Sequence, residues 1–161
     1  MQYMSFDTIL EIYSKKPEDT LALGKALGAT LSGGEVIELI GDLGAGKTLL
    51  VHGIAEGINS DDVVQSPSFT ISRIYQGDGI ELHHYDFYRL GDNPGILRAE
   101  LAESLEDSQV AVVTEWANSV EDVLPQDKLT ITISYQDEEN VRLLTLKATG
   151  EKSASIITGV S

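Results

Sequence analysis

The run Glu35-Val36-Ile37-Glu38-Leu39-Ile40 passes directly into Gly41-Asp42-Leu43-Gly44-Ala45-Gly46-Lys47-Thr48, and this junction constrains the fold more than any other stretch. β-Branched and apolar residues favour a short extended strand, and the glycines allow a tight loop whose backbone N–H groups turn inward. Leu49 and the residues beyond it, to about Ile58, read as a helix. Strand, loop and helix in this order fit the pattern G-x-x-x-x-G-K-[S/T], in which loop amides and a helix N-terminus cradle phosphate groups. Lys47 would reach the β and γ phosphates and Thr48 would offer its hydroxyl to Mg²⁺. The candidate nucleotide-binding set is therefore Gly41, Asp42, Leu43, Gly44, Ala45, Gly46, Lys47, Thr48 and Leu49, and the cofactors it implies are ATP and Mg²⁺.

A phosphate loop needs an acidic group at the end of a neighbouring buried strand, to hold Mg²⁺ directly or through water. Val110-Ala111-Val112-Val113 is wholly apolar, as a buried parallel strand is, and Thr114-Glu115 follows it. Glu115 is the candidate, the alternative being a solvated rim residue. Asp86 lies in the aromatic stretch His83-His84-Tyr85-Asp86-Phe87-Tyr88-Arg89, where an acid is costly unless it is paired or coordinating. It is the second catalytic candidate, poised for the γ-phosphate, Mg²⁺ or the attacking water; the competing reading is a salt bridge to Arg89. His83 and His84 are adjacent on a strand and so point to opposite faces, which argues against a shared metal ion. Ser66-Pro67-Ser68-Phe69-Thr70 stands where a segment sensing the γ-phosphate would lie, or is a polar turn around a proline. Trp116 is either a core or rim aromatic or an anchor for a partner.

Around these motifs the chain reads as alternating strands and helices. Residues 4–13 read as a strand, and Ser14 and Pro17 open a helix carrying Leu21, Leu27 and Leu31. Residues 70–75 and 80–88 flank Gln76-Gly77-Asp78-Gly79 as a hairpin, 95–106 form a helix, and 128–135 and 140–147 form a second hairpin. The fold class that follows is a three-layer α/β P-loop NTPase fold with a mainly parallel central sheet extended by antiparallel hairpins. A length of 161 residues suits a single domain over 1–161, with about 150–161, rich in Ser, Gly and Thr, expected to fray.

Composition narrows the partners. A formal charge of −15, from 26 acidic and 11 basic residues, repels nucleic acid and anionic lipid. Cysteine is absent, so no disulfide framework, thiolate metal site or cysteine nucleophile exists, which suits a reducing cytoplasm. The first 30 residues hold no apolar stretch long enough for a signal or membrane span.

Taken together, Gly-Asp-Leu-Gly-Ala-Gly-Lys-Thr at 41–48, Ser-Pro-Ser-Phe at 66–69, His-x-Asp-x-Tyr-Arg-Leu from His84 to Leu90, and Glu115-Trp116 closely resemble the bacterial TsaE family in content, order and spacing. The resemblance spans about residues 17–150. It implies an ATPase that supports threonylcarbamoylation of adenosine 37 in tRNAs reading ANN codons, working with TsaB and TsaD homologues and meeting tRNA only through them. It also implies that Lys47, Thr48, Asp86 and Glu115 serve nucleotide and Mg²⁺, and that Thr20 and Arg142 stand near the nucleotide. The chain departs from the family at Ser68, where Thr is usual, at His52, where a basic residue is usual, and over 94–105, which lacks the usual Glu-Leu and Gly-Ile pattern. A small-molecule kinase on the same fold would need several clustered arginines to clamp the transferred phosphoryl, whereas Arg73, Arg89, Arg98 and Arg142 are scattered. A GTP-dependent switch would need an Asn-Lys-x-Asp guanine-reading motif, which the chain lacks.

Overall fold

The computed structural model describes residues 8–42, 44–62, 72–88 and 95–161. Its elements are β1 (Thr8–Ser14), α1 (Pro17–Thr30), β2 (Val36–Ile40), α2 (Lys47–Gly57), β3 (Ser72–Gln76), β4 (Glu81–Asp86), α3 (Gly95–Glu106), β5 (Val110–Glu115), β6 (Leu129–Tyr135), β7 (Arg142–Ala148) and α4 (Glu151–Val160). The seven strands form one sheet in the order β1-β7-β6-β2-β5-β4-β3. The central strands β4, β5, β2 and β6 run parallel, while β3 pairs antiparallel at one edge and β7 and β1 at the other. The expected mainly parallel centre with antiparallel extensions is the observed architecture. β5 is buried at every position, which explains its uninterrupted Val-Ala-Val-Val run.

Helices cover both faces of the central strands. One core joins Leu27 of α1, Leu50, Val51 and Ile54 of α2, and Ile156 and Ile157 of α4 to Leu39, Val113, Ile131 and Leu146 of the sheet. A smaller core gathers Leu101 of α3, Val36, Tyr85, Val110 and Val112, with Ala117 and Val120 of the short 3₁₀ turn after β5. Three layers result.

α1 opens with Pro17 followed by acidic Glu18 and Asp19, a start that suits the unpaired N–H groups and the positive end of a helix. It packs on α2 at unusually short range through Gly24 and Gly28 on one helix and Gly53 and Gly57 on the other. A Cβ built on Gly24 would lie 2.9 Å from the Cα of Gly53, and one built on Gly28 would lie 2.9 Å from the Cα of Gly57. Two glycine pairs four residues apart present the same face of each helix, so backbone meets backbone. This contact sets the position of α2, whose first residue is Lys47.

The C-terminal stretch differs from expectation: residues 151–160 form α4 rather than a frayed tail. Serine and glycine content suggested disorder, but Ser153, Ile156 and Ile157 share a buried face. The N-terminus of α4 is also held from outside the helix, because Asp127 accepts hydrogen bonds from the N–H of Lys152 (2.9 Å) and the N–H of Ser153 (3.0 Å). That satisfies donors a helix leaves unpaired at its start.

Candidate active site

The carboxyl ends of β2, β4 and β5 converge, which in parallel sheets is where ligand crevices form. After Ile40 the chain enters the glycine-rich loop. Gly44 and Gly46 take φ values of +81° and +110°, a region open to glycine and costly for other residues. Ala45 donates its N–H to the Asp42 carbonyl (3.1 Å) and buries its methyl in the larger core. Gly46 caps α2, and Lys47 follows as its first residue.

A cleft of about 380 Å³ lies between this loop and the sheet ends, lined by Gly44, Gly46, Lys47 and Thr48 from the loop and helix start. Leu49 also reaches it, and Asp86, Glu115 and Trp116 close the opposite wall. Of the residues expected from sequence, Gly41 and Asp42 instead border a neighbouring cleft that shares Lys47 and Trp116. Leu43 lies outside the described residues, as do Ser66, Ser68, Phe69, Thr70, Arg89 and Leu90.

Lys47 is 94 % removed from solvent in effect, with 6 % exposure, yet its charge is well met. Nζ donates to the Gly41 carbonyl (2.7 Å), lies 3.8 Å from Glu115 Oε1, and sits 4.3 Å above the Trp116 ring. Trp116 itself has φ +55°, an outlier for so bulky a residue, with a strain of about 1–3 kcal/mol. Its ring rests between Lys47 and Tyr88, whose centroid is 5.0 Å away.

Asp86 and Glu115 are direct register partners on adjacent parallel strands, so both carboxylates enter the cleft side by side. Burial pushes the Asp86 carboxyl above its ordinary range, opposed by the Tyr88 N–H that it accepts at Oδ1 (3.0 Å); the neighbouring Glu115 charge pushes the same way as burial. Glu115 is buried and shared: Oε1 faces Lys47, while Oε2 is 2.5 Å from Nε2 of His84. His84 is fully buried, two residues before Asp86 on the same face of β4. His83 turns to the other face and bonds Ser104 (2.7 Å) and Glu81 (2.8 Å), so the two histidines do not meet.

Thr20 and Arg142 stand beside the loop rather than in the cleft. Arg142 lies 4.3 Å over the Tyr135 ring, and the Tyr135 hydroxyl would be 3.3 Å from a Cβ on Gly44. Ser14 pairs with Arg142 in register and shares a 2.7 Å hydroxyl contact with Thr20. His52 is exposed on α2 and 3.2 Å from Glu56, away from the cleft. Sequence reasoning weighed His84 only as a metal ligand and as the first residue of the His-x-Asp motif, gave it no role in the cleft, and did not single out Tyr135; the available signal for His84 was its two-residue spacing from Asp86, which puts both on one strand face.

Among the described residues no helix is long and apolar enough to cross a membrane, and no group of three or more His, Cys, Asp or Glu residues is arranged to hold a metal by protein ligands alone. A Mg²⁺ ion held with nucleotide phosphates needs only one or two carboxylates and a hydroxyl, which Asp86, Glu115 and Thr48 supply at one cleft.

Residues 14–144 match the profile of the family described as threonylcarbamoyl adenosine biosynthesis protein TsaE. The tRNA threonylcarbamoyladenosine biosynthesis protein TsaE of Bacillus subtilis (strain 168) is 39% identical over 136 residues, covering 84% of each chain. The protein of the same name from Nostoc sp. (strain PCC 7120) is 37% identical over 137 residues, again covering 84% of each. A crystal structure of Bacillus subtilus YdiB superposes with a TM-score of 0.80 at 32% identity, covering 99% of this chain and 97% of that one. The fold thus agrees with that structure over nearly the whole length, and the chain belongs to the TsaE family of threonylcarbamoyl adenosine biosynthesis proteins.

Proposed function

We propose that this protein binds ATP with Mg²⁺ in the cleft between residues 41–49 and the ends of β4 and β5, and hydrolyses it in the cytoplasm. Hydrolysis serves TsaB and TsaD homologues that form N6-threonylcarbamoyladenosine at position 37 of tRNAs reading ANN codons. The observation that carries the reading is the convergence of Lys47, Asp86 and Glu115 on one cleft beside a glycine-rich loop at a helix start.

The loop supplies backbone N–H groups and the positive end of α2 to the phosphates. Lys47 adds a mobile ammonium whose present partners, a carbonyl, a ring face and a carboxylate 3.8 Å away, can be exchanged for phosphate oxygens. Thr48, Asp86 and Glu115 would hold Mg²⁺, which when bound neutralises charge on the phosphates. Asp86, lifted by burial, is a stronger base than an exposed carboxylate and suits the orientation of an attacking water. Partners are required for the tRNA step because the net charge of −15 opposes unaided tRNA binding.

The test combines the protein with purified TsaB and TsaD homologues, ATP, Mg²⁺ and an ANN-reading tRNA transcript, and follows both phosphate release and nucleoside modification. Turnover and modification that need all three proteins support the reading. Equal modification with this protein omitted overturns it, as would micromolar or tighter tRNA binding by the isolated protein at physiological salt for the charge argument.

A further inference from the structure

We propose that His84 is a positioning residue for ATP hydrolysis: its Nε2–H donates to Oε2 of Glu115 and fixes that carboxylate, leaving Oε1 as the oxygen presented to the cleft. The proposal rests on the ATP reading above and adds a role for a residue outside the nucleotide-contacting set.

Three observations carry it. His84 Nε2 and Glu115 Oε2 are 2.5 Å apart, and both side chains are buried. The other oxygen of Glu115, Oε1, faces Lys47 at 3.8 Å. The second ring nitrogen of His84, Nδ1, is buried with no hydrogen-bond partner among the described residues.

The third observation assigns the tautomer. A buried N–H with no acceptor is costly, whereas an unused lone pair is tolerated more readily. The proton therefore sits on Nε2, where the carboxylate accepts it, and Nδ1 carries only a lone pair. A charge-assisted bond of this kind is short and directional.

The chemical need for such a bond follows from Lys47. In the ATP reading Lys47 leaves Glu115 for the phosphates, and Glu115 would then lose the partner of Oε1. A free glutamate has three side-chain torsions, and fixing them costs rotamer entropy. His84 fixes the carboxylate before nucleotide arrives, because its own ring is fully buried on β4, beside Val113 in register on β5. Only one oxygen of Glu115 then remains to be satisfied, and it points at the cleft. Histidine–carboxylate pairs behind reacting groups act this way elsewhere, and their loss costs about 10–100-fold in metal affinity or activity.

The first measurement needs neither nucleotide nor catalytic turnover. Long-range ¹H–¹⁵N correlation spectra of the protein labelled at histidine nitrogen, with the His84 signals assigned by their loss in His84→Gln, should show Nε2 protonated and Nδ1 bare. A proton on Nδ1 overturns the proposal. The second compares His84→Phe, which fills the space without a donor, with His84→Gln, whose amide N–H reaches about as far as Nε2. In the complete system with TsaB and TsaD homologues, His84→Phe should lower kcat about 10–100-fold while the affinity for ATP measured without Mg²⁺ stays within about twofold, and His84→Gln should recover most of kcat. A kcat for His84→Phe within twofold of wild type overturns the proposal, and so does a glutamine variant no better than phenylalanine. If His84→Phe melts before assay temperature, the spectra and the glutamine variant still decide. Wild-type protein that fails to turn over ATP with its partners refutes the ATP reading itself, whereas active wild type with an unaffected His84→Phe refutes the positioning role alone.

Discussion

Replacing Gly53 by alanine tests how α2, and with it Lys47, is held against the rest of the molecule. The new Cβ would lie 2.4 Å from the Leu21 carbonyl oxygen, 2.8 Å from the Gly24 Cα and 2.9 Å from the Lys25 nitrogen. All three are backbone atoms, so no side chain can rotate away and the helices must separate by roughly 1 Å to reach ordinary contact near 3.5 Å. Overpacking of this kind costs about 1–3 kcal/mol, and a contact between backbones belongs at the upper end. Alanine returns about 1 kcal/mol through its better helix propensity. The net loss is about 2 kcal/mol, which for a chain of this size lowers Tm by about 4–8 °C. Thermal unfolding followed by circular dichroism reads it directly. The sign is decisive: at an uncrowded helix position the same change would raise stability, so an unchanged or higher Tm refutes the close glycine contact.

Asp86→Asn should raise stability at pH 7 while lowering hydrolysis by on the order of 100-fold or more, since burial opposes the Asp86 charge that the proposed reaction would use. Because its folded-state pKa is raised, protonation of Asp86 favours the fold, so the stability gap between variant and wild type should close as pH falls through that raised value and stop changing below the ordinary carboxylate value of about 3.9; a gap that widens in acid contradicts the burial argument. Asp127→Ala should cost about 1–2 kcal/mol at pH 7 by uncapping α4. Burial alone would raise the Asp127 pKa, but the bonds from Ser153 and Lys152 outweigh it and the net shift is downward, so its contribution is complete above the ordinary carboxylate value and is lost as pH falls through the depressed one; wild-type melting of Asp127→Ala at pH 7 would show α4 to be held by its apolar face alone. Trp116 is the only tryptophan, and its emission should change on saturation with MgATP as Lys47 leaves the ring face; a constant spectrum at saturation argues that Lys47 stays where it is.

What could be read from the sequence was what local spacing encodes. The glycine-rich loop, the all-apolar β5 and its terminal Glu115 each announce themselves within a dozen residues, and a strand-loop-helix junction leaves little freedom in where they sit. Contacts between distant segments were not legible. Gly24 and Gly28 resemble ordinary helix glycines until Gly53 and Gly57 are placed against them, and His84 meets Glu115 across 31 residues. The left-handed backbone of Trp116 leaves no trace in composition. α4 was misread because small polar residues masked a short apolar face and because its cap, Asp127, lies 26 residues before Ser153.

The central claim is that the cleft beside residues 41–49 takes MgATP through Lys47. Isothermal titration of MgATP into wild type and into Lys47→Ala, with both shown by circular dichroism to be folded, tests it most directly. Saturable one-site binding by wild type, weakened at least about tenfold in Lys47→Ala through loss of a charge-assisted contact, is the predicted result. Equal affinity in the two proteins, or no binding by wild type, would contradict it.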